Sequence, residues 1–221
     1  MASQFWLLKP PPTQQPAKEA PGVDHEIVTC SIRNDHGSGG RRISHLSVFL
    51  PKRCSDDVIW TWFNDILVTQ RVLDIFQKHK VTGYEIEPVK TAFAKRSETP
   101  PPTLFNLIVT GWGGIGKNAG VTLTESCPGC GHRVYEIAEP SRLADPSDWD
   151  GSDLFMVWPL PRFRFASDRL AQILIDERIS GIKLIPAPKI PMQSGEGASP
   201  GQLRYWMPEE RARELQERFE I

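Results

Sequence analysis

The sequence has little net charge, few cysteines and no long apolar run. Its 221 residues carry a formal net charge of −1, so electrostatics give no reason to expect nucleic acid or an anionic membrane as a partner. No apolar run approaches the roughly 18 residues that a membrane-spanning helix needs. The N-terminal apolar stretch lacks the charged segment of a secretory signal. These absences predict a cytoplasmic protein that binds neither nucleic acid nor membrane.

Catalytic signatures are also missing. None of the five histidines has a spacing to serine, cysteine or aspartate that implies nucleophilic catalysis. The loop Gly111–Asn118 nearly spells a phosphate-binding loop, but Asn118 stands where a magnesium-binding Ser or Thr is required. A strand pattern then follows, where that motif needs a helix. The sequence therefore predicts a protein that is not an enzyme.

Two stretches of the chain match each other in one ungapped register. Trp60–Pro88 aligns with Trp158–Pro186 at a constant offset of 98 residues. Each copy predicts a short strand, a helix and a second strand that follows a glycine. Thr69 and Ser167 stand where the helices should begin, because their hydroxyls can accept a hydrogen bond from an unpaired amide of the first turn. The apolar stripes of the two helices predict four deeply buried side chains, those of Ile75, Phe76, Ile173 and Leu174.

An arginine recurs in the first turn of both predicted helices, as Arg71 and Arg169. A cation there opposes the helix macrodipole at a cost of roughly 0.3–1 kcal/mol. One interpretation is that each arginine has a specific partner, either a carboxylate or carbonyl groups of the adjacent half. The alternative is that both arginines are simply solvated.

These patterns predict an α+β fold. Two related strand–helix–strand half-domains would pack into one mixed α/β unit that carries a CXXC knuckle hairpin. Proline-rich stretches supply the boundaries. The predicted division is 1–22 as an N-terminal strand and Pro-rich arm, 23–96 as the first half-domain, 97–103 as a Pro-rich connection, 104–188 as the second half-domain with the knuckle, 189–207 as a flexible connection and 208–221 as a C-terminal helix.

The motif Cys127–Gly131, with Cys130 as its second thiol, supplies two thiolates on a tight turn, which is half of a tetrahedral zinc site. Cys30 lies 97 residues earlier and would be a third thiolate, in a segment like an eroded CxxC with Arg33 in place of the second cysteine. Candidates for the fourth ligand are Cys54, His36, His25 and His132. The alternatives to zinc are a bare turn with buried inert thiols and a redox pair. No helix pattern starts at Cys127 to lower its pKa, which disfavours the redox pair.

The chain has seven tryptophans, several of which lie at strand ends or in loops. Trp112 and Trp149 fall in two such segments, Gly111–Gly120 and Asp145–Gly151. A loop tryptophan that stays partly exposed is a typical interface anchor. We therefore expect a protein partner to bind the surface that these two segments form.

Three segments in order resemble the C-terminal part of the bacterial double-CXXCG motif proteins, which are linked to the immunity proteins of myxobacterial toxin–immunity systems. The segments are CPGCG, then DWDGSDLF, then FASDRL with ISGIKLIP, all within Cys127–Pro186. Only one CXXCG is intact here, and the first is reduced to Cys30 and Arg33, so one ligand of the family's expected zinc site is replaced. The resemblance implies a small cytoplasmic binding protein without catalytic residues that neutralises a cognate toxin.

The alternative function is a zinc-ribbon-like nucleic-acid-binding or regulatory protein. Such a protein needs a basic stripe beside the knuckle. The sequence offers only Lys117, His132 and Arg133 there, which is too few. The protein-binding interpretation is therefore preferred.

Overall fold

The structure is a computed structural model that describes residues 5–36, 38–51, 54–144, 146–190 and 202–221. It is a mixed α+β fold, built mostly of strands. Of the predicted flexible connection 189–207, residues 191–201 lie outside the described part of the chain. Within the described part, no helix is long and apolar enough to cross a membrane.

Fifteen strands and three α-helices form the described structure. The strands are β1 (Phe5–Lys9), β2 (Lys18–Glu19), β3 (His25–Val28), β4 (Ser38–Arg42), β5 (Ser47–Leu50), β6 (Val58–Trp60), β7 (Ile66–Thr69), β8 (Tyr84–Phe93), β9 (Leu104–Val109), β10 (Gly111–Trp112), β11 (Val121–Ser126), β12 (Arg133–Ile137), β13 (Leu154–Met156), β14 (Arg164–Ser167) and β15 (Lys183–Pro186). The α-helices are α1 (Gln70–Lys78), α2 (Asp168–Asp176) and α3 (Glu209–Phe219). Short 3-10 helices cover Asn34–His36, Lys117–Ala119, Pro140–Arg142, Ala187–Lys189 and Leu203–Tyr205.

Most strands belong to two sheets that share a core. The larger sheet has the order β2-β5-β8-β9-β7-β6, and the smaller has the order β10-β13-β14-β1-β15. One cluster of buried apolar side chains includes residues of both sheets and of all three α-helices, so these elements exclude water together. The pairs β3–β4 and β11–β12 form two separate antiparallel hairpins outside the sheets.

In each sheet, one strand lies between the two strands that flank the helix of a matching stretch. β9 lies between β7 and β8, and β1 lies between β14 and β15, each antiparallel to both neighbours. The registers correspond, since Leu104 pairs with Thr69 and Phe5 pairs with Ser167. By sequence, β1 belongs to the predicted arm and β9 to the predicted second half-domain. The predicted boundaries at the proline-rich segments therefore do not coincide with boundaries between the sheets.

The two matching stretches follow the same local path. α1 begins directly after Thr69 and α2 directly after Ser167, as predicted. Gly83 and Gly181, which precede β8 and β15, both have positive φ, at 88° and 83°. A Cβ on Gly83 would lie 2.0 Å from the carbonyl oxygen of Leu154, and one on Gly181 would lie 1.9 Å from that of Val58. Only glycine allows this approach, through which each stretch contacts the strand at or just before the start of the other, β13 for Gly83 and β6 for Gly181. The four predicted stripe residues are all buried: Ile75, Phe76, Ile173 and Leu174.

Arg71 and Arg169 connect the two stretches through corresponding contacts. Each donates to a carboxylate that precedes its own helix and to the backbone carbonyl at the C-terminal end of the opposite helix. The contacts are Arg71 with Asp57 and Glu177, and Arg169 with Asp153 and His79. The negative end of the opposite helix dipole thus compensates for the unfavourable position on the arginine's own helix. Of the two interpretations of these arginines, the structure supports specific partners, with both a carboxylate and a carbonyl for each.

The proline-rich arm packs against the body of the protein. Ala17 is fully buried and forms a bridge to Thr61. The side-chain amide of Gln14 accepts a hydrogen bond from the backbone of Trp60 and donates one to the carbonyl of Val58. The arm therefore covers the outer edge of β6, where unpaired backbone groups would otherwise invite pairing with another chain.

Candidate metal centre

Two hairpin connections bring the candidate ligands together. Cys30 follows β3, and His36 ends the 3-10 helix in the same connection. Cys127 and Cys130 lie in the turn between β11 and β12, which matches the predicted knuckle hairpin. The two turns are in contact, since a Cβ on Gly129 would lie 2.8 Å from a side-chain carbon of the opposite turn.

The four side chains lie close enough together to hold one metal ion. The Sγ atoms of Cys30 and Cys127 are 3.5 Å apart, and Sγ of Cys130 is 3.7 Å from Nδ1 of His36. One ligand atom from each residue lies within 4.8 Å of all the others. Zinc bonds of about 2.3 Å to sulfur and about 2.0 Å to nitrogen place tetrahedral ligand atoms about 3.5–3.8 Å apart. The three predicted cysteines therefore converge, and His36 is the candidate for the fourth ligand that lies with them.

The other three candidates for the fourth ligand are placed differently. Cys54 packs against a separate apolar cluster, and burial raises the pKa of its thiol to about 11. His25 pairs with Glu19 at 3.0 Å. His132 stacks its ring on that of His36, with 4.2 Å between the ring centroids.

Carboxylate and guanidinium groups surround His36. Its Nε2 lies 3.2 Å from Glu125, and Arg33 holds that carboxylate at 2.8 Å and Asp35 at 2.7 Å. A metal-binding histidine commonly donates its other ring nitrogen to a carboxylate, which fixes its tautomer and orientation. Arg33, at the position where a CxxC would have its second cysteine, thus supports the candidate site through Glu125. Sequence analysis missed Glu125, because its position on β11 gives no motif.

Backbone amides stabilise the thiolate of Cys30. The amides of Ile32 and Arg33 lie 3.4 and 3.2 Å from its sulfur. Burial opposes ionisation of Cys30, but these amides and hydrogen bonds from Cys127 and Cys130 lower its pKa to about 7. Burial and the neighbouring thiols raise the pKa of Cys130. The thiolate is the form that binds metal, and a pKa of about 7 leaves a substantial fraction of Cys30 as thiolate at neutral pH.

The two predicted interface tryptophans offer little surface. Trp112 is 1% exposed and packs on Phe219 of α3, so it cannot serve as the expected surface anchor in this conformation. Trp149 is half-buried against Phe5, and its indole donates to the carbonyl of Ser152. Asp145, the first residue of the predicted binding segment Asp145–Gly151, lies outside the described residues.

Two other aromatic residues are exposed instead. Trp62 and Phe63 are 65% and 61% exposed in the turn between β6 and β7. Thr61 fixes this turn, because its hydroxyl accepts hydrogen bonds from the backbone amides of Phe63 and Asp65. The sequence signal was an aromatic pair directly before Asn64 and Asp65, residue types that favour a tight turn.

A large cleft adjoins both the candidate metal centre and this turn. It encloses about 1280 Å³ between the β3–β4 hairpin, the sheet strands β8 and β9 and the 3-10 helix Leu203–Tyr205. Cys130 and His132 line one end, and Phe63 also belongs to its lining.

Neither a scan of protein-family models nor a search of curated proteins found a match to this chain. The likeness of Cys127–Pro186 to the double-CXXCG proteins therefore stays an expectation based on its motifs.

Proposed function

We propose that this chain is a protein-binding module without catalytic residues, stabilised by a structural zinc ion. The observation that carries this proposal is the convergence of Cys30, His36, Cys127 and Cys130 from two hairpins, with ligand atoms within 4.8 Å of one another. Four protein ligands fill a tetrahedral site, as in structural zinc centres, whereas catalytic centres keep one position open. The ion would cross-link the two hairpins and hold the walls of the adjoining cleft in place.

The proposal includes two related half-domains that face each other. Its support is the correspondence of the helices, of the arginine contacts and of the central strands in the two sheets. Cys30 and Cys127 are also offset by nearly the same number of residues as the helices. The metal centre would then lie where corresponding hairpins of the two halves meet.

The resemblance to the double-CXXCG proteins gives the partner of this module, a cognate toxin that it neutralises in the cytoplasm. The alternative, a nucleic-acid-binding or regulatory zinc protein, is less favoured by the charges at the centre. Asp35 and Glu125 place carboxylates beside the ligands, and these would repel a phosphate backbone.

Zinc content is the first test. Full-length protein purified without chelator should contain about one zinc per chain, because structural zinc binding is coupled to folding. Cys127→Ser should lose the ion. Cys54→Ser is the matched control and should keep it, because Cys54 lies in a different cluster. Wild-type protein with less than about a tenth of an equivalent would end the zinc proposal.

Co-expression with the product of the neighbouring gene tests the immunity function. The neighbour should be toxic alone and harmless beside this protein. A harmless neighbour, or toxicity that this protein leaves unchanged, would contradict the immunity proposal. Turnover of a metabolite by the purified protein would contradict the absence of catalysis.

A further inference from the structure

We propose that the cleft beside the metal centre binds a cationic segment of the partner protein. This inference rests on the proposed protein-binding function and gives it a location and a partner chemistry. The cleft volume of about 1280 Å³ exceeds the roughly 300–1000 Å³ typical of small-molecule pockets. A polypeptide segment matches a space of that size.

The charge of the cleft selects a cationic segment. Seven carboxylate residues and four arginines, with no lysine, line it among the described residues, which leaves a formal charge of −3. The whole chain has a formal charge of only −1, so negative charge is concentrated here. Complementary charge steers association and suppresses wrong partners.

Three of the four arginines already neutralise carboxylates of the lining, and the first is Arg41, which pairs with Glu209. Arg42 pairs with Asp65 and Glu87, and Arg204 pairs with Glu26. Glu85 on β8 forms no side-chain hydrogen bond or ion pair within the described residues, although it lines the cleft. It is therefore free to receive a lysine or arginine from a partner.

Two buried polar atoms point independently to a ligand. Oδ1 of Asn106 and Nε of Arg164 have no hydrogen-bond partner among the described residues, and both residues line the cleft. Asn106 is 3% exposed and Arg164 is 7% exposed. Buried polar groups are usually paired. A polypeptide segment carries the amide donors and carbonyl acceptors that these two atoms lack, once small rearrangements of side chains admit it.

The exposed aromatic turn forms part of the rim of the cleft and favours binding there. Phe63 lines the cleft, and Trp62 precedes it in the same turn. Exposed tryptophan is enriched among residues that dominate binding energy. Aromatic faces also attract the ammonium and guanidinium groups of a cationic segment.

A fluorescent nona-arginine peptide tests the charge selection with the zinc-loaded full chain. Fluorescence anisotropy should show binding that weakens as salt rises, and no comparable binding of nona-glutamate or of duplex DNA. Glu85→Lys should weaken binding of nona-arginine by about tenfold or more, because it places a like charge at the docking position. The matched control is Glu98→Lys, an identical change at an exposed residue outside the cleft lining. It should change the dissociation constant by less than about twofold.

Equal weakening by Glu85→Lys and Glu98→Lys would show that the peptide binds the surface at large and would overturn the assignment. Tight binding of nona-glutamate or of duplex DNA would also overturn it.

Trp62→Ser, which leaves the charge unchanged, should weaken binding too if the aromatic turn forms the rim. If Glu85→Lys neutralises a toxin as well as wild type does, the cleft assignment fails while the binding-module proposal stands. If wild type neutralises nothing, the immunity proposal fails on its own.

Discussion

Helices α1 and α2 begin at corresponding positions, but their first turns are not stabilised in the same way. The hydroxyl of Ser167 accepts a hydrogen bond from the amide of Leu170 at 3.1 Å and donates one to Asp153 at 3.0 Å. Thr69 makes no side-chain cap, and its buried Oγ1 has no partner among the described residues. Equal backbone paths therefore coexist with unequal hydrogen bonding.

The two arginine contacts differ in burial. The side chain of Asp153 is 8% exposed and that of Asp57 is 17% exposed, while Arg71 and Arg169 are each about half exposed. Asp153 also accepts from Ser167 and from the amide of Thr82. An arginine that loses its carboxylate partner is more costly where water reaches it less. The stability of the protein should therefore depend more strongly on Asp153 than on Asp57.

The hairpins differ in the candidate metal ligands that they supply. One turn carries two thiols, and the other carries Cys30 and His36, with Arg33 directed to Glu125. The strongest test of this comparison is to give the β3–β4 hairpin the same two-cysteine turn as the β11–β12 hairpin. His36→Ala should lose zinc, and adding Arg33→Cys should restore about one zinc per chain, because a thiol at that position corresponds to Cys130 and completes a four-cysteine site.

Metal analysis and thermal unfolding of the same samples measure this rescue. The control is His36→Ala with Arg33→Ser, which should stay free of zinc and melt at a lower temperature. If the cysteine variant also stays free of zinc, the two turns are not equivalent around the metal.

The apolar stripes should contribute comparably in the two segments. Phe76 and Leu174 are 3% and 4% exposed, so Phe76→Ala and Leu174→Ala should each cost about 2–5 kcal/mol through lost burial and a residual cavity. Urea unfolding measures the loss. Ile175→Ala is the control on α2, because Ile175 is 52% exposed and should cost less than about 0.5 kcal/mol. A loss in that small range for either stripe variant would contradict the shared core.

Removal of the carboxylate should cost more unfolding free energy in the second stretch than in the first. Asp153→Ala should cost about 3 kcal/mol, since it leaves Arg169 and Ser167 without a buried acceptor. Asp57→Ala should cost about 1 kcal/mol, because water can replace more of its contacts. Urea unfolding of both variants at neutral pH measures the difference. Equal losses would mean that burial does not distinguish the two contacts.

Asp57 should also make stability depend on pH. Burial raises its pKa, but hydrogen bonds from Ser180 and Arg71 outweigh burial and lower the pKa below its ordinary value of 3.8. With the folded-state pKa depressed, this contribution is complete above the unfolded-state value and is lost as pH falls toward the folded-state value. Below about pH 4, wild type should therefore lose unfolding free energy more steeply than Asp57→Asn. Parallel slopes in urea unfolding across this range would contradict the prediction.

The sequence predicted the features that depend on residues close together in the chain and missed those that depend on distant residues. The starts of α1 and α2 were predictable, because apolar periodicity and first-turn chemistry act over a few residues, whereas the sequence left open whether the two arginines have partners. The places of β1 and β9 were not, since both segments are typical of buried strands and nothing local states which sheet each one joins. Trp112 ends β10 and Trp62 lies two residues after β6, and the packing of α3 over Trp112 helps to determine which of them stays exposed. The choice of His36 likewise depended on how two distant hairpins meet.

The smallest expected effect concerns the helix caps. Ser167→Ala should cost about 1 kcal/mol, because it removes a hydrogen bond to the first turn of α2. Thr69→Val keeps the shape of the side chain and removes a hydroxyl that is buried without a partner among the described residues. Its loss should be near zero, and the variant can be slightly more stable than wild type, since an unpaired buried polar group is itself destabilising. Urea unfolding of the two variants measures both changes. A cost for Thr69→Val as large as that for Ser167→Ala would show that Thr69 caps α1 in solution, and the first turns would then be equivalent after all.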